Sequence, residues 1–119
     1  MNTREIGKKY EKLSAELLKN NNYNILETNY RIRNAEIDII AEKNNLLVFV
    51  EVKYRKDNKF GYGSEAVDKK KLNKIISAAK EYIEEKKLYN HDIRIDCISY
   101  LSDKVDWIKN ITWGDIDEF

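Results

Sequence analysis

Two apolar runs joined by a short polar link limit what this chain can fold into. Residues 36–42 begin Glu36-Ile37-Asp38-Ile39-Ile40-Ala41, and residues 46–53 end Phe49-Val50-Glu51-Val52-Lys53, with Lys43-Asn44-Asn45 between them. Both runs have the apolar content of buried strands, yet both carry charges at alternate positions. Asparagine tolerates positive φ, so Asn44-Asn45 fits a two-residue primed turn that folds the runs into a hairpin. In that register Asp38 falls opposite Glu51 and Glu36 opposite Lys53. Strand alternation then sets these four charges on one face, with Ile37, Ile39 and Ala41 against Val52, Val50 and Val48 on the other.

Opposed strand residues hold their Cβ atoms about 4.5–5.5 Å apart, so two carboxylates in that relation repel. Two readings follow. In one, the hairpin is a partly exposed edge, and Lys53 is bonded to Glu36 as a cross-strand ion pair. In the other, Asp38 and Glu51 hold a hard divalent cation; Mg²⁺ suits such a site because it usually takes one or two carboxylates and keeps several waters. Such an ion activates water and neutralises a phosphate, and Lys53, on the same side, can hold a phosphate oxygen or orient the attacking water. Ile40 and Phe49 share the charged face, and the opposite face is apolar, as expected for central strands.

Around the hairpin the chain reads as helix, strands, helix, strands. Residues 3–21 carry Ile6, Tyr10, Leu13 and Leu17 at helical spacing, with Asn2 or Thr3 as cap. Residues 23–30 read as a first strand. A polar loop covers residues 56–63, and Ser64 can cap a second helix running to Lys87, with Val67, Leu72, Ile75, Ile76, Ala79 and Ile83 inward. Residues 92–100 and 105–112 read as two further strands. At 119 residues the chain is expected to form one domain spanning 1–119.

Composition excludes several classes. Cys97 is the only cysteine, so neither an intrachain disulfide nor a cysteine zinc site is expected. His91 is the only histidine and sits in a polar turn, where a solvated loop residue is the default. The segment Met1–Glu5 has no apolar signal region, and no apolar run approaches the roughly 20 residues of a membrane span. The chain reads as cytoplasmic, with no membrane partner. Net charge is +1, yet residues 51–74 hold eight basic against four acidic residues, an excess of +4. Lys69, Lys70 and Lys71 can grip backbone phosphates or form a solvated charged face. Arg31 can meet phosphate or equally pair with Glu27 or Glu36, and Arg55, just after Lys53, is better placed for phosphate. Gly61 and Gly63 suit a loop that orders on DNA, and Tyr54, Phe60 and Tyr62 can stack on bases or pack. From Asp103 onward five acids face two lysines, net −3, so that tail is expected to avoid nucleic acid. Trp107, Ile108, Ile111 and Trp113 within it read as a packing strip.

Asp38 followed thirteen residues on by Glu51-Val52-Lys53 matches the D…(E/D)-x-K signature of the restriction-endonuclease-like nuclease superfamily. With Gly7, Glu11, Asn29-Tyr30-Arg31, residues 36–41 and 48–55, Phe60-Gly61, Ala66-Val67, Lys71 and Arg94-Ile95-Asp96, the chain resembles the YraN family. Its members are regarded as Holliday-junction-resolvase-like predicted nucleases of bacteria. The resemblance covers residues 3–100. It implies an α/β fold with a restriction-endonuclease-like αβββαβ core, a mixed β-sheet flanked by helices. It further implies a Mg²⁺- or Mn²⁺-dependent endonuclease hydrolysing phosphodiester bonds in DNA, branched DNA included. Asp38 and Glu51 map as metal ligands, Lys53 as the catalytic lysine, and Glu11 and Glu36 as assisting carboxylates. The family usually has Gly where Tyr10 and Ala35 stand, and Ala where Ser14 stands. A homodimer follows by analogy with resolvases, which need two active sites for paired cuts. The reading from another class is a non-catalytic nucleic-acid-binding or partner-binding protein that keeps the nuclease fold.

Overall fold

The primed turn forms: Asn44 and Asn45 take φ of 49° and 67°, and the strands on either side pair antiparallel from Lys43–Leu46 to Ile39–Val50. The computed structural model describes residues 2–56 and 68–112. Its elements run α1 (Thr3–Asn20), β1 (Asn24–Ile32), β2 (Ala35–Lys43), β3 (Leu46–Arg55), α2 (Lys69–Lys86), β4 (Asp92–Leu101) and β5 (Lys104–Ile108). The strands form one mixed sheet in chain order, antiparallel except for the parallel β3–β4 pair. A parallel pair needs a long crossover, and α2 supplies it. This mixed α/β arrangement is compatible with an αβββαβ core. Ser64, Val67, Ala66, the aromatic and glycine residues at 60–63, and Trp113 lie outside the described residues, as do the acids at 115, 117 and 118.

The sheet is buried on both sides. Leu18 of α1 packs on Ile39, Ala41, Val48, Val50 and Ile98. Leu72, Ile75, Ile76, Ala79 and Ile83 of α2 pack on Ile37, Ile40, Leu47, Phe49 and Ile95 of the other face. Residues buried on both faces explain why β2 and β3 read as near-continuous apolar runs rather than clean alternations.

Three details depart from the sequence reading. The helix cap among described residues is Asp68, whose side chain accepts the Lys71 N–H, so α2 begins at Lys69. On α1 the buried stripe is rotated: Ser14 and Leu18 are buried, while Leu13 is 40% exposed. Ser14 Oγ and Tyr100 Oη are 2.9 Å apart, and Tyr10 stacks on Tyr54, which draws the Tyr10–Ser14–Leu18 row onto the sheet. Most consequential, Ile37 packs with Ile40 and not with Ile39. Alternation therefore breaks at Asp38. Opposite that break in β1, Asn29 takes a left-handed φ of 53° between the Thr28–Ile39 and Tyr30–Ile37 pairs.

Beyond the sheet's centre, Asp96 is fully buried and fully bonded. It accepts from Arg94 Nε at 2.8 Å, Arg94 Nη2 at 2.9 Å, Trp107 Nε1 at 2.9 Å and the Asn110 N–H at 3.0 Å. Those donors tie β5 and the chain after it to β4. The expected packing strip is split by the same geometry, with Trp107 on the α1 face and Ile108 and Ile111 on the α2 face.

Candidate active site at the break in the central hairpin

Where β2 loses its alternation, the β2–β3 ladder also stops. Its last Cα pair is Ile39–Val50, and Asp38 fills the next place with its side chain: Oδ2 accepts the Val52 N–H at 2.8 Å. The carboxylate is thereby fixed between the strands instead of standing up from one face. Glu51 is only 5% exposed, on the side covered by α2. Its Oε1 receives Lys71 Nζ at 2.9 Å and Lys53 Nζ at 3.5 Å. The cross-strand pair between Lys53 and Glu36 does not form; Glu36 meets Arg31 instead, at 3.5 Å.

Burial makes these charges costly, and the cost is visible in their proton affinities. Burial, then the charges of Glu51, Glu11 and Glu36, push the Asp38 carboxyl up to about 7, against the Val52 N–H, which favours ionisation. Burial also raises Glu11, helped by Glu36 and Glu51 and opposed by the hydrogen bond from the Asn29 side chain. Lys53 is lowered, first by burial and then by Lys71 beside it, although Glu51 acts the other way. Lys71 is raised: burial alone would lower it, but its bonds to Lys53 and Glu51 and the charges of Glu51 and Asp38 outweigh that. A carboxyl held too basic next to an amine held too acidic is the pattern expected of groups that handle protons or cations.

Two cavities meet at this point. One, of about 450 Å³ on the α2 side, is lined by Glu36, Asp38, Glu51, Lys70, Lys71 and Lys74 among others. The second, of about 420 Å³ on the α1 side, includes Glu11, Asn29, Arg31, Glu36 and Asp38. The structure thus brings Asp38, Glu51, Lys53, Glu11, Glu36, Arg31, Lys70 and Lys71 into one neighbourhood. Lys69 is exposed at the start of α2 and Arg55 ends β3 beside Leu101; neither is in the described lining of these cavities. The link between Lys71 and Glu51 was missed from sequence, where Lys71 reads as part of a basic run and as one residue of the family string, with no partner assigned. His91 is half-buried rather than solvated, and pairs with Glu42. Glu42 lies four residues along β2 from Asp38, roughly 13 Å at strand rise, so no histidine serves the site.

The donor set suits a hard cation. Among the described residues no group of three or more His, Cys, Asp or Glu side chains converges on one point. A cation would therefore rest on Asp38 and Glu51 and complete its shell with water or phosphate oxygens, which is how Mg²⁺ is commonly held. Burial first, and then the charges of Glu51, Glu11 and Glu36, disfavour the ionised Asp38, and a bound cation would offset both.

A family model described as "Uncharacterised protein family UPF0102" matches residues 10–100, a span that contains every residue of the Asp38–Glu51–Lys53–Lys71 group. A UPF0102 protein of Fusobacterium nucleatum is 60% identical over 115 residues, 97% of either chain. Another, of Carboxydothermus hydrogenoformans, is 46% identical over 98 residues, 82% of this chain and 83% of the relative. A third, of a Sulfurihydrogenibium species, is 39% identical over 110 residues, 92% and 96%. No helix among the described residues is long and apolar enough to cross a membrane.

Proposed function

The chain belongs to the family UPF0102, and from that footing we propose that it is a Mg²⁺- or Mn²⁺-dependent endonuclease that hydrolyses phosphodiester bonds in DNA, branched DNA included. The observation that carries this reading is Asp38: a carboxylate pinned by the Val52 N–H beside buried Glu51, in a cavity that Lys70, Lys71 and Lys74 also line. Asp38 and Glu51 are the side chains that would hold the cation. When bound, it supplies water activation and neutralises charge on the phosphate. Lys53, whose ammonium form is disfavoured by burial, is available as the neutral amine more readily than an ordinary lysine, and so can orient the attacking water or receive its proton. Lys70 and Lys74 hold backbone phosphate, and Lys71 holds Glu51 in place. Glu36 and Glu11 border the same carboxylate and keep its surroundings negative.

One observation favours a second reading. Both lysines already converge on a single Glu51 oxygen, an arrangement that neutralises the acid without a cation and suits a nucleic-acid-binding protein that does not cut. Calorimetric titration with Mn²⁺ separates the two at the level of the site. The nuclease reading expects saturable binding by the wild-type protein and none by Asp38→Asn, which keeps the Val52 hydrogen bond but loses the charge. Equal affinity in the two proteins would remove Asp38 from the ligand set.

A further inference from the structure

Gly7 lies in the second turn of α1, where glycine is the poorest helix former after proline. Among the described residues there is no packing reason: a Cβ built on Gly7 meets none of their atoms within 4 Å. The bare backbone faces the α1-side cavity of about 420 Å³, flanked one helical turn apart by exposed Arg4 and Lys8 and across the gap by Arg31. The inner wall is acidic, made by Glu11, Glu36 and Asp38. Glu36 and Asp38 also line the α2-side cavity, so the two hollows are neighbours across one carboxylate ridge. A site that combines cations at the rim, open backbone and a shared border with the proposed cation site suits a phosphate that is covalently continuous with the one being cut. A neutral ligand would have no use for Arg4, Lys8 and Arg31 together. A free dianion deep in the hollow would meet the acids, whereas a chain phosphate at the rim need not.

We propose that the α1-side cavity is a second backbone-phosphate subsite, in which a phosphate of the DNA strand adjoining the one at Asp38 lies against Gly7 and is held by Arg4, Lys8 and Arg31. The strand then crosses the Glu36–Asp38 ridge between the two helices, with Lys70 and Lys74 receiving it on the far side. The subsite rests on the nuclease reading of the neighbouring cavity, since it takes its strand direction from it.

The test is a fluorescence-anisotropy titration of a short labelled DNA single strand at several salt concentrations, with Ca²⁺ as the cation. Gly7→Phe fills the hollow and is expected to weaken binding about tenfold, a loss of about 1.4 kcal/mol. A parallel Mn²⁺ titration reports whether Asp38 and Glu51 are still in place in that variant. Arg4→Ala and Lys8→Ala, both at exposed positions that leave the core untouched, each lower the slope of log affinity against log salt by about 0.7, as loss of one phosphate contact to a single strand requires. Lys86→Ala, exposed in the last turn of α2, serves as the control and leaves the slope unchanged. Gly7→Phe binding as tightly as wild type, or slopes unaltered by Arg4→Ala and Lys8→Ala, would overturn the subsite while the nuclease reading stands. Wild-type protein that binds Mn²⁺ but no DNA would overturn both.

Discussion

Asp38 concentrates the physics of this protein in one side chain. Its ionised form is disfavoured by burial and by three nearby glutamates, and the Val52 N–H offsets only part of that. The sign of the pH effect follows from a folded-state value raised from 3.8 to about 7. Below about pH 4 the carboxyl is protonated folded or unfolded and costs nothing. Between pH 4 and 7 the unfolded chain releases the proton and the folded chain retains it, so this group's contribution to stability falls as pH rises. Above pH 7 the cost is complete. Asp38→Asn should therefore raise stability at pH 8 by on the order of 2 kcal/mol, a discounted figure because Glu51 shares the repulsion and Asp38 touches solvent. Urea unfolding at pH 8 and pH 4 checks this: the gain should be present at the first and absent at the second. The juxtaposition of Asp38 with Glu51 was legible in the sequence because a two-asparagine turn sets the hairpin register. The grip of Lys71 on Glu51 was not, because it crosses from a helix that only the folded crossover brings near.

At the scale of elements, the break in β2 decides where that carboxylate goes. Simple alternation would put Ile37 with Ile39 and raise Asp38 from one face. The left-handed Asn29 in β1 lets the neighbouring strands shift, so Ile37 turns to the α2 core and Asp38 faces the border between the two cavities. Nothing in the local pattern announces this, since asparagine at φ of 53° looks like any polar strand residue until the partner strand is known. A left-handed conformation costs most L-residues roughly 1–2 kcal/mol. Asn29→Gly should thus lose little beyond its bond to Glu11, and Asn29→Val should lose about 1–2 kcal/mol more, as read from chemical denaturation of both variants. At the other border of the sheet, Asp96 is buried with four donors around it. Asp96→Ala strands Arg94 and frees β5 and is expected to destabilise by about 3–5 kcal/mol. Thermal melts that show a loss under 1 kcal/mol would mean the network is replaced by water. The apolar stripe of α2 was readable from helical spacing. That of α1 was misjudged at Leu13, because Tyr10 and Ser14 are drawn inward by Tyr54 and Tyr100.

Taken whole, the molecule is a mixed five-stranded sheet with a helix on each side. Layering follows from the sequence because β2 and β3 are too apolar to face water on either side. The same layering explains the site. Both helices begin near the end of the sheet where the β2–β3 ladder gives out, and each brings cations to that end: Arg4 and Lys8 from α1, Lys70, Lys71 and Lys74 from α2. Net charge of +1 conceals this local arrangement. Cations thus flank the acidic residues on both sides, the arrangement that the proposed function requires of a surface for an anionic backbone. The most direct measurement is a cleavage panel of linear, flapped, four-way and single-stranded DNA, with Mg²⁺ or Mn²⁺ and with Lys53→Ala as the control. The account predicts metal-dependent cutting of at least one substrate by the wild-type protein, reduced by about 100-fold or more in Lys53→Ala. Wild-type protein that binds these DNAs in Mn²⁺ but leaves all of them intact would contradict it and establish the non-cutting reading.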